Sequence, residues 1–550
     1  MAEQNISIRT AGAKLLQLIN LEKKEVTRIY LFATLAGLIQ LSLPLGIQAI
    51  IGLLFGGVIS ASLVVLISFV VGGVFLAGIF QIFQMRVTES IQQRIFARLT
   101  FAYANRIPRI DLLSVNNYYL PELVNRFFDT ASLQKGLSKL LLDFPAATIQ
   151  IVFGLTLLSF YHPIFIAFGI ILVLIVYLLF YFSSGKGFKT SLEESDYKYE
   201  VAHWLEEISR TIKTFKFSHS ELHLRKTDKL TAGYLDARSA HFKILLMQYK
   251  VLIAFKVLIT ASMLIMGAFL LTQQQINLGQ FVAAEIIIIA ILNSVEKLIV
   301  SLETVYDILT SIEKLDKVLQ KPHENEVEEQ KGVQVFLDKS LEVKVQNLSF
   351  SYPGGSPVFN GLSFDIAPGE KILVTGKQGS GKTTLLRVLA GLYPDYMGSL
   401  LVNGLPLKNI PVHEWRKKVA VFFAQEELFG GTLIDNLTIG NADISLPQIV
   451  EVCEMVGLRE FIESHKDGYQ VKLDPMGQRL PNSIVSKILM ARCFLNRPSI
   501  LILENGWQAI EKQYRTRIIN KLIEDKSFSL LVVTEIEELC SRCDKEICLN

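Results

Sequence analysis

Gly376-Lys-Gln-Gly379-Ser380-Gly381-Lys382-Thr383 is the stretch that decides how this chain is read. It fits the pattern G-x-x-x-x-G-K-S/T, follows an apolar run at 371–374 and opens a helical stretch at 384–392, the strand–loop–helix setting in which that pattern cradles phosphate. Glycines let backbone amides turn toward phosphate oxygens, and the helix N-terminus adds positive potential. Lys382 reaches the β- and γ-phosphates, and the Thr383 hydroxyl can ligate Mg²⁺. The expected nucleotide contacts are Gly376, Gln378, Gly379, Ser380, Gly381, Lys382, Thr383 and Thr384. Around the motif, from about residue 341, short β-rich runs at 343–345, 371–374, 419–423, 500–503 and 530–533 alternate with helical stretches, the pattern of an α/β domain.

Upstream the chemistry changes. A helix crosses about 30 Å of hydrocarbon with about 20 mostly apolar residues. Six such windows precede residue 300, in three pairs: 29–53 and 62–83, 142–160 and 163–182, 251–271 and 278–299. The turns within pairs, at about 54–61, 161–162 and 272–277, contain no Lys or Arg, whereas the N-terminus and the long segments 86–140 and 183–248 contain many. By the positive-inside rule those long segments are cytoplasmic. They keep helical periodicity, so they read as spanning helices continuing into water with their charges on solvated faces. Glu285 lies well inside the last window, where an ionisable group is either functional or a paired structural residue. A polar linker over 321–340 marks the boundary between a membrane domain at 1–320 and a nucleotide-binding domain at 341–550.

Composition agrees with that division. The chain has 550 residues, half of them hydrophobic and only 19% charged, and its mean hydropathy of +0.37 does not suit a soluble protein. With 55 Lys and Arg against 52 Asp and Glu it lacks the basic excess of a nucleic-acid binder. All five cysteines, Cys453, Cys493, Cys540, Cys543 and Cys548, fall in the last hundred or so residues. Cys540 and Cys543 form a C-x-x-C without a second pair at metal-ligand spacing, so reduced thiols in a cytosolic domain are expected. The N-terminus carries no removable signal, and about 28 residues precede the first span.

Further motifs sharpen the reading: Leu348-Ser-Phe-Ser-Tyr352-Pro, Pro368-Gly-Glu370-Lys, the phosphate loop, and Ala424-Gln425-Glu-Glu-Leu-Phe429-Gly-Gly-Thr432. Together with six spans and two long cytoplasmic loops, these make the chain resemble an ABC half-exporter, a six-helix all-α membrane domain fused to an α/β P-loop nucleotide-binding domain, closest in layout to bacterial type I secretion and peptide exporters. The resemblance implies ATP and Mg²⁺ as cofactors, Tyr352 as the aromatic that stacks on adenine, and Gln425 as the glutamine that senses the metal. It implies a place in the inner membrane with the N-terminus and nucleotide-binding domain cytoplasmic, and a second half-transporter, the same chain or another. It also brings in a secretion adaptor of the kind such exporters use. Short loops at 112–117 and 210–217 take the place of the family's coupling helices.

The second half of the nucleotide domain departs from the family. Leu480-Pro481-Asn482-Ser483-Ile484 stands where the signature LSGGQ is expected, and Pro481 offers neither a hydroxyl nor a backbone N–H. Glu504, where the family has Asp, keeps an oxygen ligand for Mg²⁺ alongside Thr383 and Gln425. Asn505 replaces the general base, a loss of roughly 10²–10⁴-fold. Glu535 replaces the switch histidine with an anion facing phosphate, and Gln508-Ala-Ile-Glu511 replaces the D-loop. The expectation is an ATP-binding half-exporter with slow or absent hydrolysis, the alternative a non-hydrolysing, ATP-gated membrane sensor or scaffold. Six spans exclude a soluble kinase or GTPase.

Overall fold

Six segments of the first 321 residues are helical, long and apolar enough to cross a membrane: Lys23–Phe55, Ala61–Arg109, Leu120–Tyr161, Ile164–Arg210, Leu222–Thr272 and Leu278–Leu319. They come from a computed structural model that describes residues 8–55, 61–115, 120–324, 340–425 and 427–549. The helices are α1 (Ile8–Leu21), α2 (Lys23–Gln40), α3 (Ser42–Phe55), α4 (Ala61–Arg106), α5 (Leu120–Asn125), α6 (Asp129–Tyr161), α7 (Ile164–Arg210), α8 (Ile212–Lys216), α9 (Leu222–Thr272) and α10 (Leu278–Leu319). The first span breaks between α2 and α3, where Pro44 has no N–H to return to the carbonyl of Gln40. At 46 residues α4 is about 69 Å long, more than twice the hydrocarbon thickness, so one helix holds both an apolar window and the charged stretch beyond it.

The helices pack through small residues. On α6, a Cβ at Gly136 would stand 2.6 Å from Ile308 Cγ1 and one at Gly154 2.9 Å from Ile291 Cγ1, so glycine lets α10 approach along its length. A capping box opens α10: the Asn277 side chain accepts from the Gln280 N–H at 2.8 Å and the Gln280 side chain from the Asn277 N–H at 2.9 Å. Glu285 is half-buried on α10. About three turns further in, Glu296 pairs with Lys256 of α9, an ion pair between two apolar windows that the sequence pattern did not single out.

The chain divides into two units at Pro108/Arg109, Asn117/Tyr118 and Lys321/Pro322. In the second unit the strands are β1 (Val343–Ser351), β2 (Pro357–Ile366), β3 (Lys371–Gly376), β4 (Met397–Val402), β5 (Leu405–Pro406), β6 (Val419–Phe422), β7 (Gly431–Thr432), β8 (Lys472–Leu473), β9 (Ile500–Leu503), β10 (Ser529–Val532) and β11 (Lys545–Leu549). A parallel sheet runs β11-β3-β10-β9-β6, and an antiparallel one runs β2-β1-β4-β5. Strands of the parallel sheet are buried on both faces, which is why they read as continuous apolar runs. Ile372, Val374, Ile500, Ile502 and Leu531 enter one core, and Leu373, Leu501, Leu503, Leu530 and Val532 the other.

The connection after α4, with tight turns at Ile107–Arg109 and Leu112–Val115, belongs from Arg109 onward to this second unit, and Leu113 is buried in its first core. The remainder of the expected coupling segment, 116–117, lies outside the described residues, as does most of the linker. The other expected coupling segment is a short helix, α8, followed by Phe217, 87% exposed.

Candidate functional site

The site grows from the carboxyl end of β3. Gly376 closes that strand at φ 145°, where a Cβ would stand 2.4 Å from the Leu549 carbonyl oxygen of β11, so only glycine fits the start of the turn. Gly381, at φ 89°, caps the helix Lys382–Leu389, and a Cβ there would stand 2.6 Å from Val358 Cγ1 of β2. Between them, nothing lies within 4 Å of where a Cβ of Gly379 would be. The loop is therefore fixed where it meets the sheets and open at its crest.

Polar groups converge on that open side. Lys382 Nζ donates to the carbonyls of Gly376 and Lys377, both at 2.8 Å, which folds the ammonium over the loop. Ser380 Oγ is buried with no hydrogen-bond partner among the described residues. Thr383 Oγ1 donates to the Glu504 carboxylate, whose second oxygen accepts from the Ala424 N–H at 3.2 Å. The Glu504 N–H donates to the Phe422 carbonyl at 2.8 Å, so β6 holds the residue that follows β9. A donor-lined loop, an orphaned hydroxyl and a hydroxyl–carboxylate pair fit a polyphosphate with a hard divalent cation. Among the described residues no cluster of three His, Cys, Asp or Glu could hold a metal by itself. Gln378 is exposed in the loop, and Gln425 is exposed in the turn after β6.

Tyr352 sits differently from a free stacking platform. Its ring is half-buried, edge-on to Phe350 and Tyr393, with centroids 5.2 and 5.9 Å away. Its hydroxyl shares a 3.1 Å hydrogen bond with Thr384, the third residue of the P-loop helix. No local spacing points to this bond, because the partners are 32 residues apart.

β9 and β10 are hydrogen-bonded neighbours, and β10 also pairs with β3. Glu504, Asn505 and Glu535 consequently follow the carboxyl ends of strands flanking the loop, the usual edge for ligands in a parallel sheet. Asn505 is held locally: Gln508 Nε2 donates to its Oδ1 at 2.8 Å, while Gln508 Oε1 accepts from the Gly506 N–H at 2.7 Å. Glu535 is exposed. Leu480–Ile484 runs into the first turn of the helix Asn482–Leu495, whose N-cap residue Pro481 provides no side-chain cap. Leu480 and Ile484 pack on the second core, whereas the P-loop helix packs in the first, so the structure does not bring them to the loop. Behind that segment, buried Lys487 pairs with Glu511 at 2.7 Å. Burial works against the Glu511 charge, but Lys487 holds the carboxyl below its ordinary range.

Two cationic features beside the elements that carry the loop escaped the sequence reading. Lys371, fully buried at the start of β3, donates to the Asp525 and Phe528 carbonyls at 2.7 Å each. Arg416 joins Glu324 to the Gly391 carbonyl. The C-x-x-C cysteines are free and half-buried, and burial pushes the Cys543 thiol up to about 11.

Comparison with known proteins matches this architecture in both parts. Residues 27–295 match the ABC transporter transmembrane region and 359–506 the ABC transporter domain. The chain is 31% identical over 206 residues to an ATP-dependent lipid A-core flippase of Chromobacterium violaceum, covering 37% of this chain and 35% of that protein. It is 24% identical over 430 residues to a putative export ATP-binding/permease protein of Rickettsia bellii, covering 76% and 73%. With the alpha-hemolysin translocation ATP-binding protein HlyB of Escherichia coli O157:H7 it shares 26% over 305 residues, covering 54% and 41%. The matched stretches thus span about a third to two fifths of the flippase and HlyB. In fold it superposes on a bacterial Atm1-family ABC exporter with ATP bound at a TM-score of 0.83, with 16% identity and coverage of 96% of this chain and 93% of that one. Six apolar helices and a P-loop α/β unit on one polypeptide, each matched by its own part of the same family, place this chain in the ABC transporter family, as a fused half-transporter.

Proposed function

We propose that the chain is an ATP-binding half-subunit of a dimeric exporter of the inner membrane, with slow or absent hydrolysis of its own. In this reading residues 1–320 form the membrane domain, 321–340 the linker and 341–550 the cytoplasmic nucleotide-binding domain. The observation that carries it is the pairing of Thr383 with Glu504 beneath the P-loop, next to an Asn505 tied back by Gln508. The loop side keeps everything that holds a nucleotide: amides, Lys382, the orphaned Ser380 hydroxyl and a hydroxyl–carboxylate pair. The bound group would be ATP with Mg²⁺, held by Gly376, Gln378, Gly379, Ser380, Gly381, Lys382, Thr383 and Thr384, with Thr383, Gln425 and Glu504 toward the metal. Mg²⁺ would supply charge neutralisation between phosphates. Tyr352, with its edge against Phe350 and Tyr393, would have to present a face to adenine from its present seat.

The water-activating side is what is missing. An amide at 505 accepts no proton, and its oxygen is already engaged. Glu535 brings negative charge toward the position of the γ-phosphate. The names of the relatives divide between secretion and lipid flipping, and export is what they share. Six spans and one P-loop make half of such a unit, so a second half-transporter is the expected partner. The same local ring at Asn505 also favours the second reading, a sensor or scaffold in which ATP stabilises one conformation without being consumed. The deciding experiment is Mg-ATP binding and turnover of the purified chain in lipid beside Lys382→Ala. Binding without turnover supports the proposal. Turnover above about one per second that the substitution abolishes overturns its hydrolysis arm.

A further inference from the structure

The connection between α4 and α5 runs beside the strand of chain that leaves α10. Ile110 and His323 form an antiparallel bridge. On either side of it, the Asp111 N–H donates to the Pro322 carbonyl and the Glu324 N–H to the Arg109 carbonyl, each at 3.0 Å. The Glu324 carboxylate accepts both arms of the Arg416 guanidinium, at 2.8 and 2.6 Å, and the same guanidinium reaches the Gly391 carbonyl at 2.7 Å. Next in the chain, buried Trp415 donates Nε1 to the Leu389 carbonyl at 3.0 Å. Leu389 ends the P-loop helix and Gly391 lies two residues beyond it. An unbroken series of hydrogen bonds therefore leads from the far end of the P-loop helix, through Trp415 and Arg416, to Glu324 and the α4–α5 connection.

We propose that Arg416 is a positioning residue that ties the C-terminal end of the P-loop helix to the α4–α5 connection through Glu324, so that a nucleotide-driven displacement of the helix carries the connection with it. A two-armed arginine–carboxylate pair fixes orientation as well as distance. Here the arginine side chain is 31% and the carboxylate 14% exposed, so water competes weakly for the pair. The other anchor, Leu113 in the first core, is apolar and non-directional, so it resists separation better than sliding. A lysine at 416 would lack the third donor direction that reaches Gly391 while both carboxylate oxygens stay engaged.

The nucleotide arm of this inference rests on the ATP-binding reading, and its test keeps the two apart. Hydrogen exchange of the full chain in lipid nanodiscs is followed in peptides covering 109–115, 322–324 and 380–392, with and without Mg-ATP, beside equilibrium binding of a fluorescent ATP analogue. Without nucleotide, Glu324→Gln and Arg416→Met should each speed exchange at the Asp111 and Glu324 amides about tenfold, the order expected when a charge-assisted hydrogen bond is lost, with no further change in the double variant. Trp415→Phe, which leaves the ion pair in place and removes one of the two side-chain bonds to the helix end, should speed the same amides several-fold. With Mg-ATP, the wild type should change at 380–392 and at 109–115 together. Glu324→Gln should keep its affinity within about twofold and respond only at 380–392. Wild-type rates in all three variants, or a nucleotide response at 109–115 that survives Glu324→Gln, overturn the tie. A wild type that binds no nucleotide sinks the ATP reading alone, and the nucleotide-free rates of the three variants then decide the tie.

Discussion

Lys371 makes the stability of the nucleotide-binding unit depend on pH in a direction opposite to the usual lysine. Its side chain is fully buried where β3 begins, five residues before the P-loop, with the Phe528 ring 4.0 Å from Nζ. Burial pushes its pKa down from the ordinary 10.5 to about 8, helped by Lys526 and opposed by Asp525 and Asp544. At 1.36 kcal/mol per tenfold change in acidity, that fall corresponds to about 3 kcal/mol of penalty for carrying the charge in the folded state. Below pH 8 the ammonium is charged in both states and the penalty is fully present. Between about 8 and 10.5 the unfolded chain binds the proton more than the folded one does, so stability rises with pH. Lys371→Met removes the titrating group, so the difference in unfolding free energy, wild type minus variant, should rise by about 3 kcal/mol from pH 7.5 to 10.5. Urea unfolding of the full chain in detergent, followed by the fluorescence of buried Trp415 and Trp507, measures it, and subtraction cancels the titration of the other lysines and tyrosines. A difference that stays constant within about 1 kcal/mol across the window would refute the assignment of a buried, depressed ammonium.

Lys382→Ala should weaken Mg-ATP binding by about 10- to 100-fold, because it removes a charge-assisted contact, and should leave thermal unfolding unchanged, because the side chain is only half-buried; calorimetry in lipid reads both. Gly376→Ala should destabilise the nucleotide-binding unit by about 2 kcal/mol or more, from φ 145° and a Cβ driven to 2.4 Å from the Leu549 oxygen, as measured by the shift of the urea midpoint. Asn505→Glu combined with Glu535→His should raise ATP turnover by about 10²-fold over the parent in a phosphate-release assay, each single change giving less. No gain in the double variant would place the block elsewhere, with the Leu480–Ile484 segment first in line.

The parts legible in the sequence are those whose cause is local. Spanning windows, the P-loop setting and the apolar runs of β3, β6, β9 and β10 each need only neighbouring residues to be recognised. β2 and β4 were missed because their burial is interrupted, with exposed residues where an alternating strand would show apolar ones. α4 outruns its apolar window because lipid limits the window and not the helix. At the site, the pattern identified Lys382, Thr383 and Glu504 as residues but not the bond between Thr383 and Glu504, which spans 121 positions. Tyr352 is expected to stack on adenine, and its hydroxyl also has a partner on the P-loop helix that no spacing rule would reveal. The seat of 109–115 in the second unit and the Arg416–Glu324 pair are likewise products of tertiary packing alone.

Which residues of the motif speak for nucleotide can be argued from what each one touches. Gly376 and Gly381 are required by the sheets: any side chain there would collide with β11 or β2, whether or not a phosphate ever enters the loop. Their presence supports the fold and says little about a ligand. Gly379, Ser380, Lys382 and Thr383 are different. Space is open above the first, the second holds an unpaired buried oxygen, and the third folds an ammonium over two carbonyls of its own loop. Folding alone rewards none of these, since an orphaned hydroxyl costs stability and a lysine pinned to its own loop loses rotamer entropy. The case for a bound polyphosphate therefore rests on Ser380, Lys382 and the Thr383–Glu504 pair. Asn505 and Glu535 are exposed to no such packing demand: one is half-buried in a ring closed by Gln508, the other lies in solvent, and a glutamate or a histidine could stand there without disturbing a core. Their identities thus bear on the proposed chemistry more directly than the glycines do: the proposed reading sets a loop that holds a nucleotide beside a strand end with an amide at 505 where a carboxylate would activate water.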